Sequence, residues 1–115
     1  MTTKNCIFCT MAQDPAHTSP IYRDDRAFVV KDIDPKAPVH LLIIPNMHIA
    51  SLAYVGPGQV PVMGHLFVVA EEMARREGVT LSGYRLILNQ GADSGQEIVH
   101  PHLHLLGGRQ LGAMG

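Results

Sequence analysis

The chain has 115 residues, near the commonest domain size and long enough to bury a core of its own. Hydrophobic residues make up 46% and charged residues 17%, a balance that excludes a disordered chain. Nine basic against ten acidic side chains give a net charge of −1, which leaves no electrostatic footprint for nucleic acid or an anionic membrane.

Met1-Thr2-Thr3-Lys4-Asn5 leads into no hydrophobic signal stretch, and no apolar run approaches the length of a membrane span, so the chain reads as cytoplasmic. No repeat or linker divides it, and residues 1–115 read as one domain. The only two cysteines, Cys6 and Cys9, fall in Cys6-Ile7-Phe8-Cys9 at the start of a short N-terminal helical turn, so no disulfide framework exists. Asp14-Pro15 and Ser19-Pro20 bound a polar loop. A short strand over residues 21–23, the turn Asp24-Asp25 and a strand over 26–32 follow. Asp34-Pro35-Lys36-Ala37-Pro38 is a loop, and 39–45 is a nearly continuous apolar run of the kind found in a central strand.

Gly56-Pro57-Gly58 breaks the chain before a helix predicted over residues 59–77. Met63, Leu66, Phe67, Ala70, Met73 and Ala74 recur at spacings of three and four, which predicts one buried stripe. Glu71 with Arg75 and Glu72 with Arg76 form correctly ordered ion pairs on the outer face, and Gly78 is a left-handed stop. Strands over 84–89 and 102–106 complete an α+β order, a sheet with helices on one side of it.

Chemistry concentrates at His100-Pro101-His102-Leu103-His104-Leu105-Leu106. Histidines at every second position of a strand project from one face, about 7 Å apart, with leucines on the buried reverse face. A row of imidazoles points to acid–base, nucleophilic or metal chemistry. Pro101 cannot donate to a central ladder, so His100 falls at the strand mouth and diverges from its neighbours. His102, flanked by the other two, is the best-placed nucleophile. Gly91-Ala92-Asp93-Ser94-Gly95-Gln96 is a loop whose backbone N–H groups can form an anion nest beside the histidines. Cys6 and Cys9 are half of a tetrahedral zinc site, and spacing alone leaves His17, His40, His48 and His65 all open as further ligands.

The triad, the Cys6–Cys9 start, Asp32-Ile33-Asp34-Pro35, Ile44-Pro45 before His48-Ile49, the 89–96 loop and Gly107-Gly108-Arg109-Gln110 together resemble the histidine triad family, in its nucleotide-binding Hint-like branch with a bacterial-type zinc site. The resemblance spans nearly the whole chain, and the triad with its upstream Gly95-Gln96 is its most specific part. It implies an antiparallel sheet with one long helix and a short N-terminal helix, assembled as a two-fold homodimer. The implied activity is a purine nucleoside phosphoramidase that passes through a covalent nucleotidyl-histidine. By similarity His102 is the nucleophile, and His104, Gln96, Asn89 and Gly95 contact phosphate. Asp32 binds the ribose hydroxyls, and Ile33 lines the base pocket. Cys6, Cys9, His48 and His100 match the ligands of a structural zinc. Glu97 stands where relatives often carry a serine that assists the leaving amine, and the tail Leu111-Gly112-Ala113-Met114-Gly115 lacks the tryptophan of some relatives. Two other readings compete: a nucleotide-binding interaction module with vestigial catalysis, and a metal enzyme using His100, His102 and His104 as an open zinc site.

Overall fold

The computed structural model describes residues 6–115, so the Met1–Asn5 segment that carried the signal-peptide reading lies outside them. Helices α1 (Ile7–Gln13), α2 (Pro15–Thr18) and α3 (Val60–Arg76) accompany strands β1 (Tyr22–Arg23), β2 (Ala27–Lys31), β3 (Val39–Pro45), β4 (Tyr84–Ile87) and β5 (Leu103–Gly107). The strands form one antiparallel sheet in the order β1-β2-β3-β5-β4, so β5 enters between β3 and the edge strand β4. The residues predicted as loop between Asp14 and Pro20 form a helical turn instead. Pro15 presets its first position, and Ser19, in the left-handed region at φ 51°, closes it.

Strand alternation divides the apolar residues between two faces. Ala27, Val29, Leu41, Ile43, Leu103 and Leu105 face α3, which answers with Leu66, Val69, Ala70, Met73 and Ala74. Phe28 and Ile44, one residue out of phase, face away from α3 and pack against Phe8 and Cys9 of α1. The helices therefore cover opposite faces of the sheet, not one side as the element order suggested. Burying each such Leu or Ile contributes on the order of 1.5–3 kcal/mol, so α3 and its face supply most of the core.

The buried stripe of α3 also differs by one residue from the predicted set. Val69 is buried at 1% exposure while Phe67 stands 54% exposed. Positions 66, 69, 70, 73 and 74 follow the i, i+3, i+4 rule from Leu66, and Phe67 lies one step, about 100°, around the helix. Val60, Phe67 and Val68 form an exposed apolar row on the same helix. Gly78, at φ +73°, ends it in the left-handed conformation expected from its position.

Candidate active site and metal centre

His104 on β5 and His102, the residue just before the strand starts, lie on the face that α1 partly covers, with ring centroids 5.0 Å apart. Leu103 and Leu105 point into the α3 core behind them, as the leucine alternation predicted. His100 does not join the row. It lies before the strand, after Pro101 interrupts the ladder, and its ring turns to the two cysteines. Three imidazoles equally spaced on one strand therefore become one on β5 (His104), one immediately before it (His102) and one turned away at its mouth (His100).

Each ring's role follows from the atom held by its second nitrogen. His102 Nδ1 lies 2.8 Å from the backbone oxygen of His100. A carbonyl only accepts, so Nδ1 carries the proton and Nε2 keeps its lone pair. His40, on β3, receives the backbone N–H of Lys36 at Nδ1 (3.0 Å), so its proton sits on Nε2. That Nε2–H lies 2.9 Å from His104 Nδ1 and 3.3 Å from the Asp32 carboxylate. Donation from His40 fixes the His104 proton on Nε2. The pair thus presents a lone pair on His102 beside a donor on His104. Burial, with His102 and His40 close by, pushes the His104 pKa down to about 4, so its ring is neutral near pH 7. Burial likewise lowers His40, against the raising effect of Asp32.

His40 was not assigned to this chemistry from sequence. It left one signal: a polar residue in phase with Leu42 and Ile44 within an otherwise apolar strand. Leu42 pairs with His104 and His40 with Leu106, which places the two histidines on neighbouring strands.

A cleft of about 750 Å³ opens over these rings. Phe8, Met11, Val30 and Leu42 give it an apolar end, and Asn89, Gly95, Gln96 and Glu97 a polar one. Asp32 and Ile33 lie on its rim, Ile33 fully exposed. The 91–96 loop is closed on itself: Ser94 and Gly95 donate backbone N–H groups to Gly91 and Ala92 oxygens. Gln96 is also engaged, its Oε1 accepting from the Gly91 N–H (2.7 Å) and its Nε2 donating to the Ile98 oxygen (3.1 Å). These two bonds fix the orientation of the Gln96 amide and leave its second Nε2 N–H available as a donor.

Cys6, Cys9, His48 and His100 converge beside this cleft, their ligand atoms all within 4.8 Å of one another. Cys6 Sγ and His48 Nδ1 each lie 3.2 Å from His100 Nδ1, and Cys9 Sγ lies 3.2 Å from His48 Nδ1. His100 Nε2 donates to the Pro45 oxygen at 2.9 Å, which leaves its Nδ1 lone pair directed into the cluster. Two thiols and two imidazole nitrogens at these separations suit a tetrahedral ion of the zinc class. Burial and the neighbouring Cys6 push the Cys9 thiol up to about 12, so an incoming metal must displace its proton. The other histidines left open by spacing are occupied elsewhere. His17 contacts Asp14 at the surface, His65 contacts Asp24, and His40 joins His104.

An α+β sheet that carries two histidines over a cleft of about 750 Å³, with a sulfur–nitrogen cluster beside it, describes a class that comparison with known proteins makes definite. The HIT domain family model matches residues 13–111. A purine nucleoside phosphoramidase from Escherichia coli K12 is 45% identical over 94 residues, covering 82% of this chain and 79% of that protein. The crystal structure of a HIT family hydrolase from Legionella pneumophila superposes with a TM-score of 0.86 at 42% identity, over 92% of this chain and 95% of that one. A zinc-bound histidine triad family protein from Mycobacterium smegmatis superposes at 0.75 with 29% identity, over 93% and 77%. The chain belongs to the HIT domain family. Among the described residues no helix is long and apolar enough to cross a membrane.

Proposed function

We propose that this protein hydrolyses the phosphorus–nitrogen bond of purine nucleoside phosphoramidates of the adenosine 5′-monophosphoramidate type, through a covalent intermediate on His102. One observation carries the reading: the His100 oxygen holds the His102 proton on Nδ1, leaving Nε2 as a lone pair beside the cleft. In the first step His102 Nε2 attacks the α-phosphorus, a nitrogen–phosphorus bond forms, and the bond to the amine breaks. Glu97, at the polar end of the cleft, is the group assigned to protonate the departing amine. In the second step water attacks the same phosphorus and gives its proton to the Glu97 carboxylate while the His102 Nε2–phosphorus bond breaks, which releases the nucleoside monophosphate and returns both residues to their starting forms. His104 donates from Nε2 to a phosphoryl oxygen, and His40 holds it in that tautomer.

For the nucleotide, Asp32 serves the ribose hydroxyls and Ile33 covers the base. Asn89, Gly95 and Gln96 form the phosphate end. The likeness to a phosphoramidase at 45% identity supports this substrate class. Cys6, Cys9, His48 and His100 would hold a structural zinc. When bound it supplies a cross-link between α1, the segment after β3 and the mouth of β5. Four protein ligands leave it no open position for substrate, which sets this reading against an open zinc site on the triad.

The exposed row Val60, Phe67 and Val68 on α3 and the unpaired edge of β4 support a two-fold homodimer built on that side. Turnover of adenosine 5′-monophosphoramidate, followed by release of adenosine monophosphate, tests the function. Wild type hydrolyses it, and His102→Ala does not while still binding adenosine monophosphate within several-fold. Tight nucleotide binding without any turnover by wild type would instead select the vestigial module.

A further inference from the structure

His100 is bound at four points, and they belong to different sites. Its Nδ1 faces Cys6 Sγ at 3.2 Å and Cys9 Sγ at 3.5 Å, while its Nε2–H donates to the Pro45 oxygen at 2.9 Å. Its backbone N–H reaches the Ile98 oxygen at 2.9 Å. Its backbone oxygen is the acceptor that fixes the His102 tautomer. The carbonyl that prepares the nucleophile thus belongs to a residue whose ring lies in the metal cluster.

Phe8 makes a second connection. It lies between the two cysteines in sequence, 2% exposed, and its ring meets both histidines edge-on. The centroids lie 5.7 Å from His100 at 82° and 4.9 Å from His102 at 68°. Cys6 accepts the Cys9 N–H at 3.3 Å at the start of α1, so the cysteines set where that helix begins and where Phe8 points. The His102 ring is therefore confined on one side by a carbonyl and on another by an aromatic edge. The Cys6–Cys9–His48–His100 cluster anchors both.

We propose that metal binding at this cluster positions His102, through the His100 carbonyl and the Phe8 ring, and so sets how much of the chain is ready to attack phosphorus. His100 and Phe8 are positioning residues in this account, and the account rests on His102 being the nucleophile. Loss of the ion frees the His100 ring to rotate and lets its peptide follow. The His102 ring then exchanges between its two neutral tautomers, only one of which offers Nε2 as a base. The loss is expected in kcat, since Asp32 and Ile33, the residues assigned to ribose and base, follow β2 and do not belong to the Cys6–Cys9–His48–His100 cluster.

The test compares zinc-loaded full-length protein with the same protein stripped by a chelator, using nitrogen-15 correlation spectra of the histidine rings alongside kinetics. The loaded protein is expected to show a single Nδ1–H form of His102, and the stripped protein a mixture of both. kcat falls roughly tenfold or more, the usual scale for groups that support a metal ligand, with KM within about twofold. Returning zinc restores both signals. A folded, stripped protein with one His102 tautomer and unchanged kcat would overturn the proposal and leave the cluster a purely structural cross-link.

If stripping unfolds the chain, Phe8→Leu in the loaded protein takes its place. It keeps all four ligands and removes the ring edge. A mixed His102 tautomer with a several-fold lower kcat is expected, and no change in either would contradict the proposal. Were the loaded wild type to turn over no phosphoramidate, the reading of the reaction would fail. The tautomer comparison would still decide the positioning claim.

Discussion

Two histidine clusters lie side by side on one face of the sheet, and they differ in what each ring's second nitrogen meets. In the first, His100 donates to a carbonyl and turns its lone pair toward two thiols and a second imidazole, an arrangement that suits a metal. In the second, His102 donates to a carbonyl and turns its lone pair toward a cleft with no thiol in its lining, an arrangement that suits an electrophile. The residue type is the same and the carbonyl anchor is the same. Only the company of the free nitrogen separates the candidate ligand from the proposed nucleophile.

The sharpest way to break this comparison is to remove the nucleophile and keep the metal. His102→Ala is expected to lower kcat by about 10³-fold or more while zinc content stays at one ion per chain, measured by steady-state hydrolysis and metal analysis. Zinc lost together with His102 would mean that the two clusters are one site. Next in size, His40→Phe removes the donor to His104 Nδ1 and preserves the ring's volume. kcat is expected to fall roughly 10- to 100-fold with little change in nucleotide affinity, as for loss of a single preorganised donor.

Asp24 offers a contrast on stability alone. Its carboxylate accepts from the Tyr22 hydroxyl and His65 Nε2, each at 2.6 Å, and from the backbone N–H groups of Arg26 and Ala27. Those four bonds outweigh its burial and hold the carboxyl well below the ordinary range. Asp24→Asn is expected to cost about 2–3 kcal/mol, read as a drop of roughly 10 °C in Tm, with turnover at room temperature unchanged.

Acid separates the same groups. The folded pKa of His104 is about 4 against an ordinary 6.5, so between those values the unfolded chain binds a proton that the folded chain refuses. Stability on this account is complete above about pH 6.5 and declines toward pH 4. Discounted for water in the cleft, the decline is on the order of 2 kcal/mol. The Asp24 contribution, with its folded pKa lowered, persists to about pH 3.8 and is lost below it. Denaturant unfolding across pH checks both ranges, with His104→Asn as the control that lessens the upper slope without abolishing it, since burial lowers His100 to about 4 and lowers His40 as well. Smallest of all, Glu72→Gln on the solvent face of α3 removes the pairs with Arg75 and Arg76 and is expected to leave the thermal midpoint nearly unchanged, read by thermal unfolding.

Much of this architecture was legible in the chain because local signals and tertiary packing agree. The apolar run of β3, the start and stop of α3 and the leucines of β5 all occupy the places their periodicity predicts. What was not legible depends on contacts between distant segments. Periodicity could not say that α1 covers the face opposite α3, because that follows from Phe28 and Ile44 being out of phase with Val29 and Ile43 on strands the chain returns to later. Phe67 and Val69 exchanged places in the predicted stripe, since both fit a helical period and only the sheet decides between them.

At the site, Pro101 correctly signalled that His100 would leave the row. The convergence of Cys6, Cys9, His48 and His100, which spacing left open, became readable through the family resemblance, and the four come together in the fold. His40 and Phe8 were missed for one reason. His40 belongs to no motif and Phe8 only fills a variable position between the two cysteines, and each gains its role from a partner more than sixty residues away in sequence.

The central claim is that His102 forms the covalent intermediate, and mass spectrometry of the intact protein quenched during turnover of adenosine 5′-monophosphoramidate tests it most directly. A single adenylyl group, labile to acid, located on His102 and absent from His102→Ala, is the expected result. Steady turnover with no adduct, or an adduct on any other residue, would contradict it.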